Sequence, residues 1–286
     1  MRKFIFSIFY FLIIILLFNG VVFVFANDNY YKGYHEFPDK SYHAFLLADS
    51  HGMPLEKFPE KFGIYNFSSN SDSYADMERK ITYLIDHQYQ VKKIYISADD
   101  HTLSPYRESI NNMDKSIVYT SKINFNYIRE KYIKYYFPIF QLKVNSIFRM
   151  YLEDKVKIIF NQKEKTATKI IWSELSEEDK RKRASDRVLG QFPSKIRSQK
   201  LEKTLVKIIT LCQQNNIELI GVKFPVTNSY LKKLGNQNYG ADKVLESKEV
   251  KMKDYKSIFD GSDDYFGDQD HLNPEGAEKF VKILFK

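Results

Sequence analysis

Four polar clusters in this chain carry the residue types that attack carbonyl groups or move protons. They are Asp49-Ser50-His51, the run from Ser68 to Ser73 (SSNSDS), Asp99-Asp100-His101, and Asp268-Gln269-Asp270-His271. A serine hydroxyl is a poor nucleophile until a histidine accepts its proton, and that histidine needs an acid to fix its tautomer and steady the imidazolium. Asp268 and His271 stand three residues apart, so a tight turn lets Asp268 reach one ring nitrogen while the other faces a nucleophile. Ser50 is the candidate nucleophile, His271 the base and Asp268 the orienting acid. Asp270, adjacent to His271, is the second candidate for the acid. The backbone N–H of Ser50 and one from the Ser68–Ser73 loop are the expected donors to a developing oxyanion.

Each residue also has a plainer role. A serine at a strand-to-helix turn more often caps a helix, and it is the Asp268 and His271 pair that tips Ser50 toward catalysis. Asp49 reads as a loop anchor, His51 as a rim residue and Asp72 as a turn or cap residue. Asp49, His51, Asp99, Asp100, His101, Asp268, Asp270 and His271 would equally suit a metal-dependent hydrolase. That chemistry would be expected to bring an Asn-His pair and His-x-His spacing, and the sequence has neither. The expectation is therefore a site without metal or other cofactor.

Elements of a doubly wound sheet are needed to bring the clusters together. Ala44 to Ala48 (AFLLA) is a continuous apolar run, as suits a strand buried on both faces of a parallel sheet. Further strands are predicted at Gly63 to Phe67, Lys93 to Ala98 and Ile217 to Phe224. Helices fall between them. Ser73 to Gln88 opens with a capping-box pattern, Ser73 followed by Asp76, and puts Met77, Ile81, Leu84 and Ile85 on one face. The helix before the fourth strand does the same with Leu201, Leu205, Ile208, Ile209 and Cys212. The last helix begins at Asn273 as N-cap with Pro274 following. In such a sheet ligands sit beyond the carboxyl ends of the strands, where three of the clusters fall and where the fourth, just before the last helix, is expected. The stretch from Ser109 to Ser198 breaks the alternation and reads as a helical insertion. Its charged run EEDKRKRASDR, Glu177 to Arg187, reads as a solvated helix face.

The N-terminus is different in kind. Arg2 and Lys3 precede an apolar run from Phe4 to Phe25 long enough to cross a bilayer core of about 30 Å. The positive flank belongs on the cytoplasmic side, which puts the remainder outside. Val24-Phe25-Ala26 approximates a cleavage site, but the run is longer than the roughly 7–15 residues of a signal core, so a retained anchor is favoured over secretion by cleavage after Ala26. The expected organisation is an anchor over residues 1–26, a linker over 27–40, and one α/β domain over 41–286 with its insertion at about 109–198. The composition, 43% hydrophobic and 28% charged over 286 residues, is that of a folded protein. The net charge of +8 comes from scattered lysines, and no zinc-finger spacing or aromatic RNA-binding signature accompanies it. Nucleic acid is not an expected partner. The single Cys212 cannot form an internal disulfide.

Taken together, these blocks resemble the SGNH (GDSL) hydrolase superfamily. Its Gly-Asp-Ser after the first strand corresponds to Ala48-Asp49-Ser50, and its C-terminal Asp-x-x-His to Asp268-Gln269-Asp270-His271. In the family's second block a glycine N–H serves the oxyanion hole; Ser71 stands at that position, preceded by Asn70. The third block offers an Asn side chain, where this chain has Asp99-Asp100-His101. His101 is able to replace it as a donor, whereas an ionised Asp100 only accepts. The resemblance covers roughly residues 41–106 and 217–286. It implies a flavodoxin-like, mostly parallel sheet with Ser50, Asp268 and His271 as triad, and with Ser71, His101, Asp100 and Asn70 as oxyanion-hole or substrate contacts. An SGNH-like domain on a membrane anchor further resembles enzymes that O-acetylate envelope or secreted polysaccharides. That resemblance implies acyl transfer to a polysaccharide hydroxyl, with a multi-spanning membrane acyltransferase as acyl donor. An esterase that deacylates carbohydrate, and a degenerate domain that only binds glycan, are the alternatives.

Overall fold

Five short strands form a single parallel sheet. In chain order they are β1 (Ala44–Leu47), β2 (Ile64–Asn66), β3 (Lys93–Ser97), β4 (Glu218–Lys223) and β5 (Lys251–Asp254), hydrogen-bonded in the order β2-β1-β3-β4-β5. All four pairings are parallel, with Leu47 opposite Ile96 and Ser97 opposite Val222. This computed structural model describes residues 2–121, 125–159 and 171–286. Its helices are α1 (Arg2–Phe25), α2 (Tyr74–Asp86), α3 (Phe125–Ile128), α4 (Lys134–Tyr136), α5 (Leu142–Ile159), α6 (Glu177–Gln191), α7 (Gln199–Gln214), α8 (Asn228–Leu234), α9 (Ala241–Glu246) and α10 (Pro274–Leu284).

Two compact units divide the chain: residues 1–37 with 120–169, and residues 38–119 with 170–286. The second holds the sheet, with helices on both faces. Leu46, Tyr95, Ile220 and Val222 lie on one face and pack with Ala277, Phe280, Val281 and Leu284 of α10. Burying each large side chain here contributes about 1.5–3 kcal/mol. The alternate residues Phe45, Leu47, Ile94, Ile96 and Leu219 are buried on the opposite face, where α7 packs on β4 and on α2. Sequence-encoded caps start these helices. The Ser73 N–H donates to Asp76 Oδ2 at 2.8 Å, and Asn273 Oδ1 accepts the Gly276 N–H at 2.9 Å ahead of Pro274 at the first helical position.

In the first unit α1 continues as a wider turn over Ala26–Tyr30. Among the described residues it is the one helix long and apolar enough to cross a membrane. Its C-terminal end packs on α5: Val22, Phe25, Ala26, Tyr30 and Tyr31 are buried with Val144 and Phe148. Tyr30 and Tyr31, which lie in the stretch expected as a linker, are thus drawn into a core because they have apolar surface to bury, while residues 27–29 stay exposed. The stretch expected as one insertion falls into both units, apart from residues 122–124 and 160–170, which lie outside those described. Its C-terminal part belongs with the sheet because Ala184 and Val188 of α6 are buried against Val226 and against Tyr230 and Leu234 of α8.

Candidate active site

With this strand order the chain reverses direction across the sheet between β1 and β3. That switch point is where a crevice opens beyond the carboxyl ends of parallel strands. Ser50 follows β1 and Asp99-Asp100-His101 follows β3. The loop after β2 runs beside them, since the Ser69 N–H donates to the Ala48 carbonyl at 3.2 Å and Ser68 Oγ accepts the Ala48 N–H at 3.0 Å. Gly52 is needed for this approach. A Cβ there would stand 2.3 Å from Ser68 Oγ and 2.8 Å from Ala48 Cβ.

The Asp268–His271 turn closes as its spacing suggests. Asp268 Oδ1 accepts the backbone N–H groups of Asp270 at 3.0 Å and His271 at 2.9 Å. His271 Nδ1 donates to Asp268, with both carboxylate oxygens at 2.9 Å. Its Nε2 is buried and has no hydrogen-bond partner among the described residues. Asp270, the other candidate acid, is 3.4 Å from His271 Nδ1 and is committed elsewhere. Its Oδ2 accepts Arg187 Nε at 2.6 Å, Gln191 Nε2 at 3.1 Å and His51 Nε2 at 3.3 Å. Asp268 is therefore the acid that orients His271.

Ser50 lies half-buried on the turn after β1. Neither its hydroxyl nor its N–H is hydrogen-bonded among the described residues, so the structure places it beside the site without a bond to His271. Its neighbour His51 lies with its ring centroid 5.2 Å from that of His271, edge to face. Ser71 has φ of +67°, the left-handed conformation that glycine adopts at no steric cost. Its N–H also has no partner among the described residues. Asn70 is exposed, and its carbonyl accepts Asn112 Nδ2 at 2.5 Å.

Beneath this rim lies a buried charge network that the sequence reading did not foresee. His51, expected on the rim, is 3% exposed. Its Nδ1 donates to Asp99 Oδ2 at 2.8 Å and its Nε2 to Asp270. Burial opposes the imidazolium, but the charges of Asp99 and Asp49 and the hydrogen bonds to Asp270 and Asp99 prevail and raise its pKa well above 6.5. Asp49 is likewise buried, which disfavours its charge; His51, His101 and Arg107 outweigh this and hold it well below the usual carboxylate range. Arg107 Nη2 lies 3.3 Å from Asp49 Oδ2. Burial also works against ionised Asp270, and His51, His271 and Arg187 drive its pKa down regardless.

His101 occupies a different place from the one expected. Burial lowers its pKa, so the ring is neutral, and its Nε2 donates to Asp49 Oδ2 at 3.1 Å. A neutral imidazole has one N–H. With the Nε2–H donated to Asp49, Nδ1 is left as an acceptor. Asp100 is held in ion pairs with Lys223 at 2.5 Å and Lys256 at 2.8 Å, so its carboxylate serves the end of β4. Asp72, read as a turn residue, pairs with the fully buried Lys80 at 2.5 Å.

Two triplets bring possible metal-ligand atoms within 4.8 Å of one another: Asp49, His51 and His101, and His51, Asp270 and His271. Both contain His51. Both ring nitrogens of His51 are engaged by carboxylates, Nδ1 by Asp99 at 2.8 Å and Nε2 by Asp270 at 3.3 Å.

Arg187 is the functional candidate that sequence reasoning missed. Its Nε holds Asp270, its side chain is 32% exposed, and its Nη atoms carry no hydrogen bond among the described residues. The charged run of α6 hid it, one inward arginine among solvated neighbours. Lys223 had a visible signal, a lysine at the carboxyl end of a strand whose preceding four residues, Leu219 to Val222, are apolar or glycine.

No family model and no curated protein matches this sequence. Among solved structures, the chain is similar to a protein from Bacteroides fragilis NCTC 9343 provisionally described as an acylhydrolase. The match is 11% identical, covers 91% of this chain and 97% of the other, and has a TM-score of 0.36.

Proposed function

We propose that this chain is a serine-dependent acyl-ester enzyme that transfers an acyl group, acetyl in the simplest case, to a hydroxyl of a cell-envelope or secreted polysaccharide. The observation that carries the reading is His271, clamped by Asp268 through Nδ1, its Nε2 without a hydrogen-bond partner among the described residues and its ring centroid 5.2 Å from that of His51, the residue after Ser50. In the first half-reaction Ser50 Oγ attacks the acyl carbonyl while His271 Nε2 takes the hydroxyl proton. The tetrahedral oxyanion accepts hydrogen bonds from the free N–H groups of Ser50 and Ser71. As the C–O bond to the leaving group breaks, His271 returns the proton to that oxygen and acyl-Ser50 remains. In the second, His271 takes the proton of the acceptor hydroxyl, whose oxygen attacks acyl-Ser50. Collapse breaks the acyl–Oγ bond, His271 returns its proton to Ser50 Oγ, and the new ester leaves.

Arg187 is the proposed third charge-stabilising group in place of His101, since its Nε holds Asp270, which lies 3.4 Å from His271 Nδ1, and its Nη atoms carry no hydrogen bond among the described residues. The acceptor is proposed to approach past an open cavity of about 460 Å³ lined by Phe192, Ser194, Lys195, Asn236, Gln237 and Asn238, a side-chain set rich in amide groups. Tyr239, which also lines it, donates its N–H to the Asp100 carbonyl at 3.0 Å, tying the cavity wall to the β3 loop. The anchor and its Arg2-Lys3 flank support an extracytoplasmic site, with a membrane-embedded acyltransferase as the acyl donor.

A fluorophosphonate probe tests the nucleophile. Labelling of the full chain that disappears in Ser50→Ala supports the reading; no labelling of the parent sinks it. With a chromogenic acetyl ester as donor, appearance of acetylated oligosaccharide marks transfer. Rapid hydrolysis of acetylated glycans with no transfer to any acceptor would assign the same triad to a carbohydrate esterase.

A further inference from the structure

We propose that the outer face of α3 to α5 lies in the headgroup layer of an anionic phospholipid bilayer, as a second membrane contact built onto a retained α1. The inference concerns the first unit alone and does not depend on the esterase chemistry.

The end of α1 is part of a folded core. Val22, Phe25 and Ala26 are three of the seven buried residues of its cluster with α5, and cleavage after Ala26 would remove all three. Polar contacts fix the same junction. Asn19, which interrupts the apolar run, donates from Nδ2 to the Tyr136 carbonyl at 2.9 Å. Gln141 Nε2 donates to the Tyr31 hydroxyl at 2.6 Å, and the Tyr135 hydroxyl to Asn27 Oδ1 at 3.0 Å. At 1.5 Å per residue, Arg2 to Asn19 spans about 26 Å, close to the roughly 30 Å of a hydrocarbon core. The segment that meets α1 from Asn19 onward thus falls at the interface where the helix leaves the bilayer.

That segment is a poor surface for water. Phe125 and Phe140 are each 72% exposed and Leu142 is 87% exposed. Tyr136, Met150 and Val156 continue the apolar surface. A domain surrounded by water rarely leaves so many large apolar side chains uncovered in so short a stretch. Over residues 125–159 seven basic side chains face three acidic ones. Lysine and arginine stems extend along apolar surface while their heads reach water or phosphate. Basic residues beside an apolar and aromatic face are the features of a helix that lies in a bilayer interface and prefers anionic lipid.

The test uses the full chain with Met150→Cys, carrying an environment-sensitive nitrobenzoxadiazole probe. The chain is reconstituted in vesicles of phosphatidylglycerol and phosphatidylethanolamine containing spin-labelled lipid. Lys203→Cys, exposed on α7, is the aqueous reference, and the unsubstituted chain with its buried Cys212 sets the background. We expect blue-shifted emission at position 150, quenched severalfold more strongly than at 203 and less strongly once phosphatidylcholine replaces phosphatidylglycerol. Water-like, unquenched emission at 150 overturns the proposal. So does emission that is shielded yet unquenched by lipid, which would mean a protein partner or a second copy, and so does quenching indifferent to lipid charge.

Discussion

Replacing Asp268 by asparagine should separate chemistry from folding at this site. Asp268 Oδ1 is pinned by two backbone N–H donors, those of Asp270 and His271. The amide oxygen of an asparagine must take that position, which puts its NH2 where Oδ2 now lies, 2.9 Å from His271 Nδ1. Nδ1–H then keeps one acceptor, the amide oxygen at 2.9 Å, but loses the other to a facing NH2 donor, which weakens the tautomer that leaves Nε2 free for the Ser50 proton. A complete switch to the wrong tautomer costs about 10⁴-fold in kcat, and a loss of about tenfold to that limit is expected. The side chain of Asp268 is 45% exposed, so the melting temperature should move by less than about 2 °C. Asp270→Asn is the contrasting variant. It leaves Arg187 and His51 short of a buried counter-charge, a loss worth about 3–5 kcal/mol and a drop of about 6–20 °C in Tm. Hydrolysis of p-nitrophenyl acetate and thermal unfolding, both on the full chain in detergent, read the two effects. Activity within tenfold of the parent in Asp268→Asn, together with an inactive but equally stable Asp270→Asn, would refute the assignment.

Further outcomes follow from the same geometry. Ser71→Gly removes a side chain from a left-handed position, worth about 1 kcal/mol, and should raise Tm by a few degrees with activity kept, whereas Ser71→Val should lower both. Gly52→Ala drives a methyl group into Ser68 and Ala48 and should cost about 1–3 kcal/mol along with most of the esterase activity; unchanged urea midpoints would count against the close approach. The raised pKa of His51 means that its contribution to stability is complete below about pH 6.5 and is lost as pH rises through the folded value. The lowered values of Asp49 and Asp270 contribute above about pH 4 and are lost as pH falls. Urea midpoints should therefore be highest between these limits, and His51→Gln should flatten the alkaline limb; an alkaline limb identical in the variant would discount the imidazolium.

Much of the fold was legible because parallel strands buried on both faces leave continuous apolar runs. Ala44–Leu47, Lys93–Ser97 and Glu218–Lys223 lie inside the runs read as strands. β5 was not legible. Its sequence, KMKD, is that of a partly exposed strand, and only pairing with β4 makes it one. The Asp268–His271 turn could be read because its chemistry is local to four residues. His51 could not, since its partners Asp99 and Asp270 come from distant parts of the chain and only the fold makes them neighbours. The same holds for Asn19, an oddity in an apolar helix until Tyr136 and Ile139 meet it.

The make-up of β5 bears on how the sheet avoids pairing with strands of other molecules. A sheet edge offers a row of unpaired amides and carbonyls to any passing strand. Here one edge is the three-residue β2, and the other presents Lys251 and Lys253. Lys251 engages Glu218 at 3.1 Å, and Lys253 donates to the Leu284 carbonyl at 2.9 Å. A strand from another molecule docking on that edge would have to strip water from ammonium groups before its own amides found partners. The polarity that concealed β5 from a pattern of buried residues thus keeps the sheet from growing past its fifth strand.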